Sequence, residues 1–254
     1  MEAWEAAAAK FIENWEHIEL TDAIFLTGSY ATGNATKESD IDIFIILNDS
    51  VEWRERGNRK IDGFLVEYFA NPLEQVKSYT VNNLKHGNLT QINMFKQGKL
   101  LFDRNNTAEQ VLAYCESMLK EGIPQMGDVE LQNRLYGLWN DMDELCAAYV
   151  KVSPDFMAQY YRFCLNAFCL YSRFICAALP DVHHLYKWLA DKAFALRYGL
   201  PAYPDTKMSA MMQESFDSND TMRHAEKMYK YISDKTGGFD IEKYTFRSKC
   251  DLGE

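Results

Sequence analysis

The sequence predicts an α+β fold in which a small β-sheet domain is followed by a C-terminal helical bundle. Short apolar runs alternate with helix-like segments before residue 106, whereas the pattern from residue 107 onward is almost wholly helical. The chain has 254 residues, of which 47% are hydrophobic, so it can build a real core in one large or two modest domains. We therefore expect domains at 1–106 and 107–254.

The first part opens with a helical pattern and continues with strands. Apolar residues recur at helical spacing from Trp4 to Ile18, which indicates an amphipathic helix that packs on a sheet. Further along, the pattern predicts one more helix at 73–83. Strands are predicted at 23–27, 41–47, 64–69 and 98–103.

The second part reads as a bundle of helices. Prolines mark boundaries between its apolar periodic segments. The segment 199–218 has the most loop-like composition. The helices are predicted at about 107–121, 128–150, 154–179, 182–198 and 219–235.

The charge pattern argues against an extended nucleic acid as partner. The net charge is −10. Residues 1–106 contain 11 basic and 16 acidic residues, and residues 107–254 contain 16 and 21, so each part carries −5. Neither part offers the basic surface that binds a phosphate backbone.

The remaining composition indicates a cytoplasmic protein. The first five residues include Glu2 and Glu5 and no basic residue, unlike a signal peptide. The apolar stretch 156–179 contains Arg162 and Arg173, which favours a bundle helix over a membrane span. The six cysteines form no Cys-x-x-Cys pair and are expected to be buried free thiols in a reducing compartment. The sequence leaves open whether the chain forms a homodimer.

One short motif contains the residue types of a metal and phosphate site. Gly28 and Ser29 follow an apolar run, and Asp40 and Asp42 stand at the head of the next one. Side chains at i and i+2 of a strand share a face, and paired carboxylates beside a glycine loop suit a divalent metal and phosphate oxygens. By itself, Asp-x-Asp is also typical of a solvated turn.

The string GSYATGNATKESDID resembles the signature of the DNA polymerase β-like nucleotidyltransferase superfamily. Within it, the sequence is most similar to the small antibiotic nucleotidyltransferases, which modify aminoglycosides or lincosamides. The resemblance implies a small mixed β-sheet as catalytic domain at 1–106 and an acceptor-binding helical bundle at 107–254. It further implies a nucleoside triphosphate donor, by default ATP, and two Mg²⁺ ions held by carboxylates including Asp40 and Asp42, with Gly28 and Ser29 at the phosphates.

The resemblance also implies a third carboxylate on the strand beside the Asp-x-Asp strand. Glu67 lies inside the apolar run 64–69, where a buried acid needs a partner such as a metal. An exposed edge position is the alternative for Glu67, and Asp62 is the competing carboxylate. The charged run 52–60 is expected to be a solvated loop or helix face, with contact to the triphosphate as its alternative.

The acceptor site is expected in the helical part. Trp139, Asp143 and Glu144 form an acidic and aromatic group on the predicted helix 128–150, although an exposed acidic face is the alternative. Lys187 is a candidate phosphate contact, with a solvated lysine as its alternative. The adjacent His183 and His184 do not share a helix face, which disfavours a zinc site.

We therefore expect transfer of a nucleoside monophosphate to a hydroxyl of a small molecule, a reaction that would confer antibiotic resistance if the acceptor is an aminoglycoside or lincosamide. A protein-AMPylating or antitoxin-type nucleotidyltransferase and an inactive nucleotide-binding module are the alternatives.

Overall fold

The structure, a computed structural model, describes residues 2–179 and 184–247 of the chain. The predicted α+β class is confirmed. Five strands form one sheet: β1 (Thr21–Thr27), β2 (Ile41–Leu47), β3 (Glu55–Ile61), β4 (Phe64–Pro72) and β5 (Lys99–Asp103). The helices before residue 124 are α1 (Ala3–Glu13), α2 (Gly28–Thr32), α3 (Leu73–Lys85), α4 (Thr90–Gln97) and α5 (Thr107–Glu121). Those after it are α6 (Asp128–Val150), α7 (Phe156–Phe174), α8 (Leu185–Ala190), α9 (Lys192–Arg197), α10 (Thr206–Glu214) and α11 (Thr221–Thr236).

The sheet is mixed, with strand order β3-β4-β2-β1-β5. Only the β2–β4 pair is parallel, and the pairs β1–β2, β1–β5 and β3–β4 are antiparallel. The central strands β1 and β2 are almost continuously buried, which explains their unbroken apolar runs. This arrangement places the start of β2 beside the end of β1 and the middle of β4.

The charged run at 52–60 was predicted to be a loop or helix face, and this prediction is wrong. Residues 55–61 form the edge strand β3, which pairs with β4 alone. Charged side chains are common on edge strands because they oppose pairing with another chain. Gly57 in β3 lies opposite Tyr68, and a Cβ at Gly57 would lie 2.7 Å from the Tyr68 ring carbon Cζ.

Helices cover both faces of the sheet. The apolar side of α1 packs on one face, where Phe11 and Trp15 contact Tyr68 with ring centroids 5.2 and 5.3 Å apart. Phe95 of α4 packs against Phe25 and Phe44, at 5.3 and 5.0 Å. The sequence pattern predicted α1 and α3 but missed α4.

The chain divides into two compact units. The first consists of Met1–Pro124 with Pro180–Ala202, and the second of Gln125–Leu179 with Tyr203–Glu254. This division differs from the predicted boundary at 106/107, because α5 packs on α3, α4, β1 and β5 and therefore belongs with the sheet. It also assigns 180–202, which was predicted to lie in the bundle, to the unit that contains the sheet.

The second unit contains α6, α7, α10 and α11. Asp205 caps α10 by accepting hydrogen bonds from Lys207 N and Met208 N, each 3.0 Å. The other oxygen of Asp205 accepts hydrogen bonds from Tyr171 and Tyr231 at 2.6 and 2.7 Å. The prediction of a loop over 199–218 is therefore wrong, because the capped helix α10 lies within it.

The predicted helix 182–198 is interrupted in the part that the structure describes. Asp191 ends α8 in an extended conformation and accepts hydrogen bonds from Ala193 N and Phe194 N, which starts α9. His183 and Cys250 lie outside the described residues. The other five cysteines are free thiols, and within the described ranges no helix is long and apolar enough to cross a membrane.

Candidate active site

The Asp-x-Asp motif lies where three central strands meet. Asp42 is the second residue of β2, and Asp40 precedes the strand by one residue. Asp42 is in register with Thr27 at the end of β1 and with Glu67 in β4. Because residues in register on neighbouring strands project to the same face, the carboxylates of Asp42 and Glu67 lie side by side.

Gly28 holds the loop against the Asp42 carboxylate. Its φ is +65°, and a Cβ there would lie 2.8 Å from Asp42 Cγ. Both the left-handed backbone and the lack of space require glycine at this position. The short helix α2 therefore begins directly beside the carboxylate of Asp42 and contains Ser29.

The turn after α2 is held by its own hydrogen bonds. Thr32 Oγ1 donates to the carbonyl of Gly28 at 3.1 Å, and the backbone N–H of Asn34 donates to the carbonyl of Ser29 at 2.9 Å. Gly33 ends the helix with φ +73°. These hydrogen bonds order the Gly28–Thr32 segment next to the carboxylates. Within the described residues, the structure records no hydrogen bond of the Ser29 side chain.

The surroundings of Asp42 disfavour its ionised form. Burial, together with the negative charges of Glu67 and Asp40, raises the pKa of Asp42 from 3.8 to about 6. Asp42 thus lies in a site where negative charge accumulates and where a cation would be favourable.

Glu67 has a cationic partner on the edge strand. Arg56 Nη2 lies 2.7 Å from Glu67 Oε1, and the Glu67 side chain is 21% exposed. The Arg56 guanidinium also lies over the Phe69 ring, 4.7 Å from its centroid. The competing carboxylate, Asp62, lies in the turn between β3 and β4 and pairs with Lys10 at 2.8 Å. The structure therefore brings Glu67, and not Asp62, next to Asp42.

Asp42 and Glu67 open into a cavity of about 440 Å³, which we call the carboxylate cavity. The strands and α2 form one part of its lining, α4 forms another, and residues from 184 to 200 form the rest. All of these belong to the first unit. The lining residues are Thr27, Gly28, Thr32, Asp42, Glu67, Phe69, Thr90, Asn93, Met94, Gln97, His184, Phe194, Tyr198 and Leu200.

Comparison with known proteins agrees with this geometry. Residues 8–97 match the family model described as nucleotidyltransferase domain. This part of the chain is therefore similar to nucleotidyltransferase domains. The match covers β1, α2, β2 and β4, and so includes the motif and Glu67. It places the protein among the transferases and implies a nucleoside triphosphate as substrate.

A similar fold occurs in a solved structure. The nucleotidyltransferase-like protein from Exiguobacterium sibiricum 255-15 is 13% identical, with a TM-score of 0.50 over 92% of this chain and 75% of that one. At this identity the likeness concerns the fold alone. A comparison with the curated proteins finds no match.

The carboxylates have the chemistry of a magnesium site. Nucleotidyltransferases generally use a divalent metal with the triphosphate, and carboxylate oxygens are the ligands that Mg²⁺ prefers. The raised pKa of Asp42 shows that a cation would relieve charge there. Among residues 2–179 and 184–247, however, no three His, Cys, Asp or Glu side chains lie close enough to hold an ion together. The donor types fit, and Arg56 already pairs with one oxygen of Glu67, Oε1.

Two parts of the cavity were missed by sequence reasoning. Thr90, Asn93 and Gln97 line it from one face of α4, with the spacing i, i+3 and i+7. This polar stripe on a short helix was the available signal. The residues from 184 to 200 gave no signal of their own, because their return to the sheet unit depends on long-range packing.

The predicted acceptor residues Trp139, Asp143 and Glu144 belong to the second unit. Trp139 stacks on Tyr136 with ring centroids 6.3 Å apart, and Asp143 is exposed. Glu144 accepts a hydrogen bond from Arg162 at 2.6 Å, which lowers its pKa. None of the three predicted residues of α6 belongs to the lining of the carboxylate cavity.

Lys187 lies near the cavity in the first unit. Its Nζ is 5.8 Å from the ring centroid of Phe194, which lines the cavity, although Lys187 itself does not. The side chain of Lys187 is exposed, so its predicted phosphate contact remains a prediction.

Proposed function

We propose that the protein transfers a nucleoside monophosphate from a nucleoside triphosphate, with ATP as the default donor, to a hydroxyl of a small molecule and releases pyrophosphate. The observation that carries this proposal is the pairing of Asp42 with Glu67 in the lining of the carboxylate cavity, against the Gly28 backbone. Carboxylates beside a close backbone approach are what phosphoryl chemistry requires.

In this proposal Asp40, Asp42 and Glu67 hold two Mg²⁺ ions. When bound, the metal lowers the pKa of the acceptor hydroxyl and neutralises charge on the phosphates. Gly28 and Ser29 orient the β- and γ-phosphates. The acceptor oxygen forms a bond to the α-phosphorus while the bond from that phosphorus to the bridging oxygen breaks. The hydroxyl proton leaves to a carboxylate, and the electron pair of the broken bond leaves with pyrophosphate.

The antibiotic acceptor, an aminoglycoside or lincosamide, is proposed from the sequence resemblance. Trp139, Asp143 and Glu144 are the acceptor contacts in that proposal, and Lys187 is a phosphate contact. The acidic character of α6 supports attraction of a cationic sugar. Since Glu144 and Asp143 are adjacent, only one of them can face an acceptor. One amide variant should therefore alter acceptor KM or turnover and leave triphosphate binding unchanged, and if neither does so, this acceptor proposal fails.

A second candidate is a nucleotide-binding module without transfer. The Arg56–Glu67 ion pair favours it, because Arg56 already neutralises the third carboxylate. No feature of the described residues specifically favours protein AMPylation or an antitoxin function over these two.

The deciding experiment supplies each labelled nucleoside triphosphate with Mg²⁺ and a panel of aminoglycosides, lincosamides and proteins. Transfer to a small molecule, with a loss of about a thousandfold or more in Asp42→Asn, supports the proposal. Near-normal turnover in that folded variant would exclude the carboxylate mechanism. Binding of triphosphate by the wild type without transfer to any acceptor would favour the second candidate.

A further inference from the structure

Three of the rings that line the carboxylate cavity form a cluster, which we call the aromatic wall: His184, Phe194 and Tyr198. The centroid of Phe194 lies 4.8 Å from that of Tyr198 and 5.6 Å from that of His184. His184 and Tyr198 are stacked with a centroid distance of 6.3 Å. Such a cluster offers flat ring faces against which another planar ring can stack.

The same cavity contains a buried hydrogen-bond donor that lacks a partner. Asn93 is only 9% exposed, and its Nδ2 finds no hydrogen-bond partner within the described part of the chain. Burying an amide donor without a partner destabilises a protein, and such groups are rare in folded proteins. Because Asn93 lines the cavity, a ligand in the cavity can supply the missing acceptor.

The end of α9 holds the wall and this donor together. Gly199 has φ +65°, Gly199 N–H donates to Leu196, and the N–H of Leu200 donates to Ala195, a pattern that ends a helix with a left-handed glycine. A Cβ at Gly199 would lie 3.5 Å from Asn93 Cγ. The residue that follows Tyr198 is therefore packed directly against Asn93.

We propose that the aromatic wall and Asn93 bind the nucleobase of the donor triphosphate, with the ring stacked on Tyr198 and Phe194 and a ring nitrogen or carbonyl oxygen accepting a hydrogen bond from Asn93 Nδ2. This inference rests on the proposed function, since it assigns the base of that donor. Asp42 and Glu67 in the same cavity place the phosphates of the same molecule at the carboxylates.

The lining favours a base over a polycationic sugar. Among the described residues of its lining, Asp42 and Glu67 are the only carboxylates, and the proposal commits both to metal. The other lining side chains are apolar, aromatic, hydroxyl or amide groups. A nucleobase matches these with two ring faces and uncharged hydrogen-bonding edges, whereas several ammonium groups would find no further carboxylates among the lining residues.

The test compares two kinds of ligand, one with a nucleoside and one without. Dissociation constants are measured by calorimetry for the four common nucleoside triphosphates and for inorganic tripolyphosphate, each with Mg²⁺ and without acceptor. Tyr198→Ala should weaken binding of the preferred triphosphate by about 5- to 150-fold and leave tripolyphosphate binding unchanged. Tyr198→Phe, which keeps the ring, should bind the triphosphate nearly as the wild type does. Leu196→Ala is the matched control on α9, because Leu196 is 77% exposed and does not line the cavity.

A second variant separates binding from folding. Asn93→Leu removes the unpaired donor at similar volume, so its melting temperature should equal or exceed that of the wild type. Its affinity for the preferred triphosphate should fall about two- to tenfold, again without effect on tripolyphosphate. A merely structural role for Asn93 would lower the melting temperature and leave the affinity unchanged.

These binding measurements test the proposed base site without requiring that the protein transfer a nucleotide. Equal losses for triphosphate and tripolyphosphate, or no loss for either in both variants, would overturn it. Because no acceptor is present, base-dependent binding can stand even if the protein transfers nothing, in which case only the proposed function fails. If transfer occurs and Tyr198→Ala changes neither the dissociation constant nor the KM of the triphosphate, only this inference fails.

Discussion

Replacing Asp42 with asparagine should stabilise the metal-free protein at neutral pH. Burial and the charges of Glu67 and Asp40 raise the pKa of Asp42 from 3.8 to about 6. The folded protein therefore disfavours the ionised carboxylate, whereas the unfolded chain does not. Asparagine has nearly the same shape and carries no charge, so Asp42→Asn removes this penalty.

The magnitude follows from the size of the shift. One pKa unit corresponds to 1.36 kcal/mol, so a shift from 3.8 to about 6 corresponds to about 3 kcal/mol. Solvent reaches part of the side chain and screens it, and we expect a gain of about 1–3 kcal/mol.

The difference in stability between Asp42→Asn and the wild type should increase with pH. Below pH 3.8 Asp42 is protonated in both states, and the variant and the wild type should be equally stable. As the pH rises from 3.8 through 6, the folded wild type retains a proton that the unfolded chain releases, so the wild type loses stability. Above pH 6 the full difference should be present.

Urea unfolding in EDTA, followed by circular dichroism from pH 4 to pH 8, measures this difference. Asp217→Asn is the control, because Asp217 is an exposed carboxylate in the second unit. A variant that is less stable than the wild type at pH 8, or a gain that is the same at pH 4 and pH 8, would refute the reasoning.

Three further predictions concern single side chains. Gly28→Ala should lower the free energy of unfolding by about 1–3 kcal/mol, measured with heat or urea, and weaken triphosphate binding, because the new Cβ would meet the Asp42 carboxylate at a left-handed φ. Gly137→Ala is the control and should not destabilise the protein, because a Cβ at Gly137 in α6 would meet open space. Glu67→Gln should reduce the rate of labelled-nucleotide transfer strongly and Asp62→Asn should not, and the reverse ranking would reject Glu67 as the third carboxylate. Asp205→Ala should lower the free energy of unfolding in urea by about 2–4 kcal/mol, because it removes the cap of α10 and leaves the hydroxyls of two tyrosines without their acceptor. A decrease below about 1 kcal/mol would contradict this expectation.

The sequence predicted best where apolar periodicity is strong and local. The bounds of β2, α5 and α6 agree with the predictions at 41–47, 107–121 and 128–150. The Asp-x-Asp motif was assigned to the head of β2 because a buried apolar strand follows it directly. Asp40 is one residue short of the strand, so strand alternation alone does not fix its direction.

The sequence pattern failed to predict β3, α4 and α10, each for a different physical reason. The edge strand β3 is solvated on one side and so lacks an apolar pattern. In α4, Gln91 and Asn93 are buried polar residues, which obscures the helical alternation. For α10 the two nearby prolines suggested a loop, although the Asp205-Thr206 pair is a typical helix start.

The sequence predicted only part of the candidate site. Asp42, Glu67 and Gly28 come from a local motif and a neighbouring strand, so they could be proposed before the fold was known. The aromatic wall comes from the segment 184–200, which the periodicity assigned to the bundle. Its placement depends on packing between residues far apart in the chain, and no local rule predicts such packing.

The return of residues 180–202 to the first unit means that this unit is not contiguous in sequence. A protein cut after residue 124 would keep the five described strands and Asp40, Asp42 and Glu67, and yet lose the part of the cavity lining contributed by 184–200. The matched family region ends at residue 97 and likewise omits that lining. In the proposed base site, proteins that share the Asp-x-Asp motif can differ in ligand choice through this downstream segment, and grafting experiments should exchange the segment together with α4.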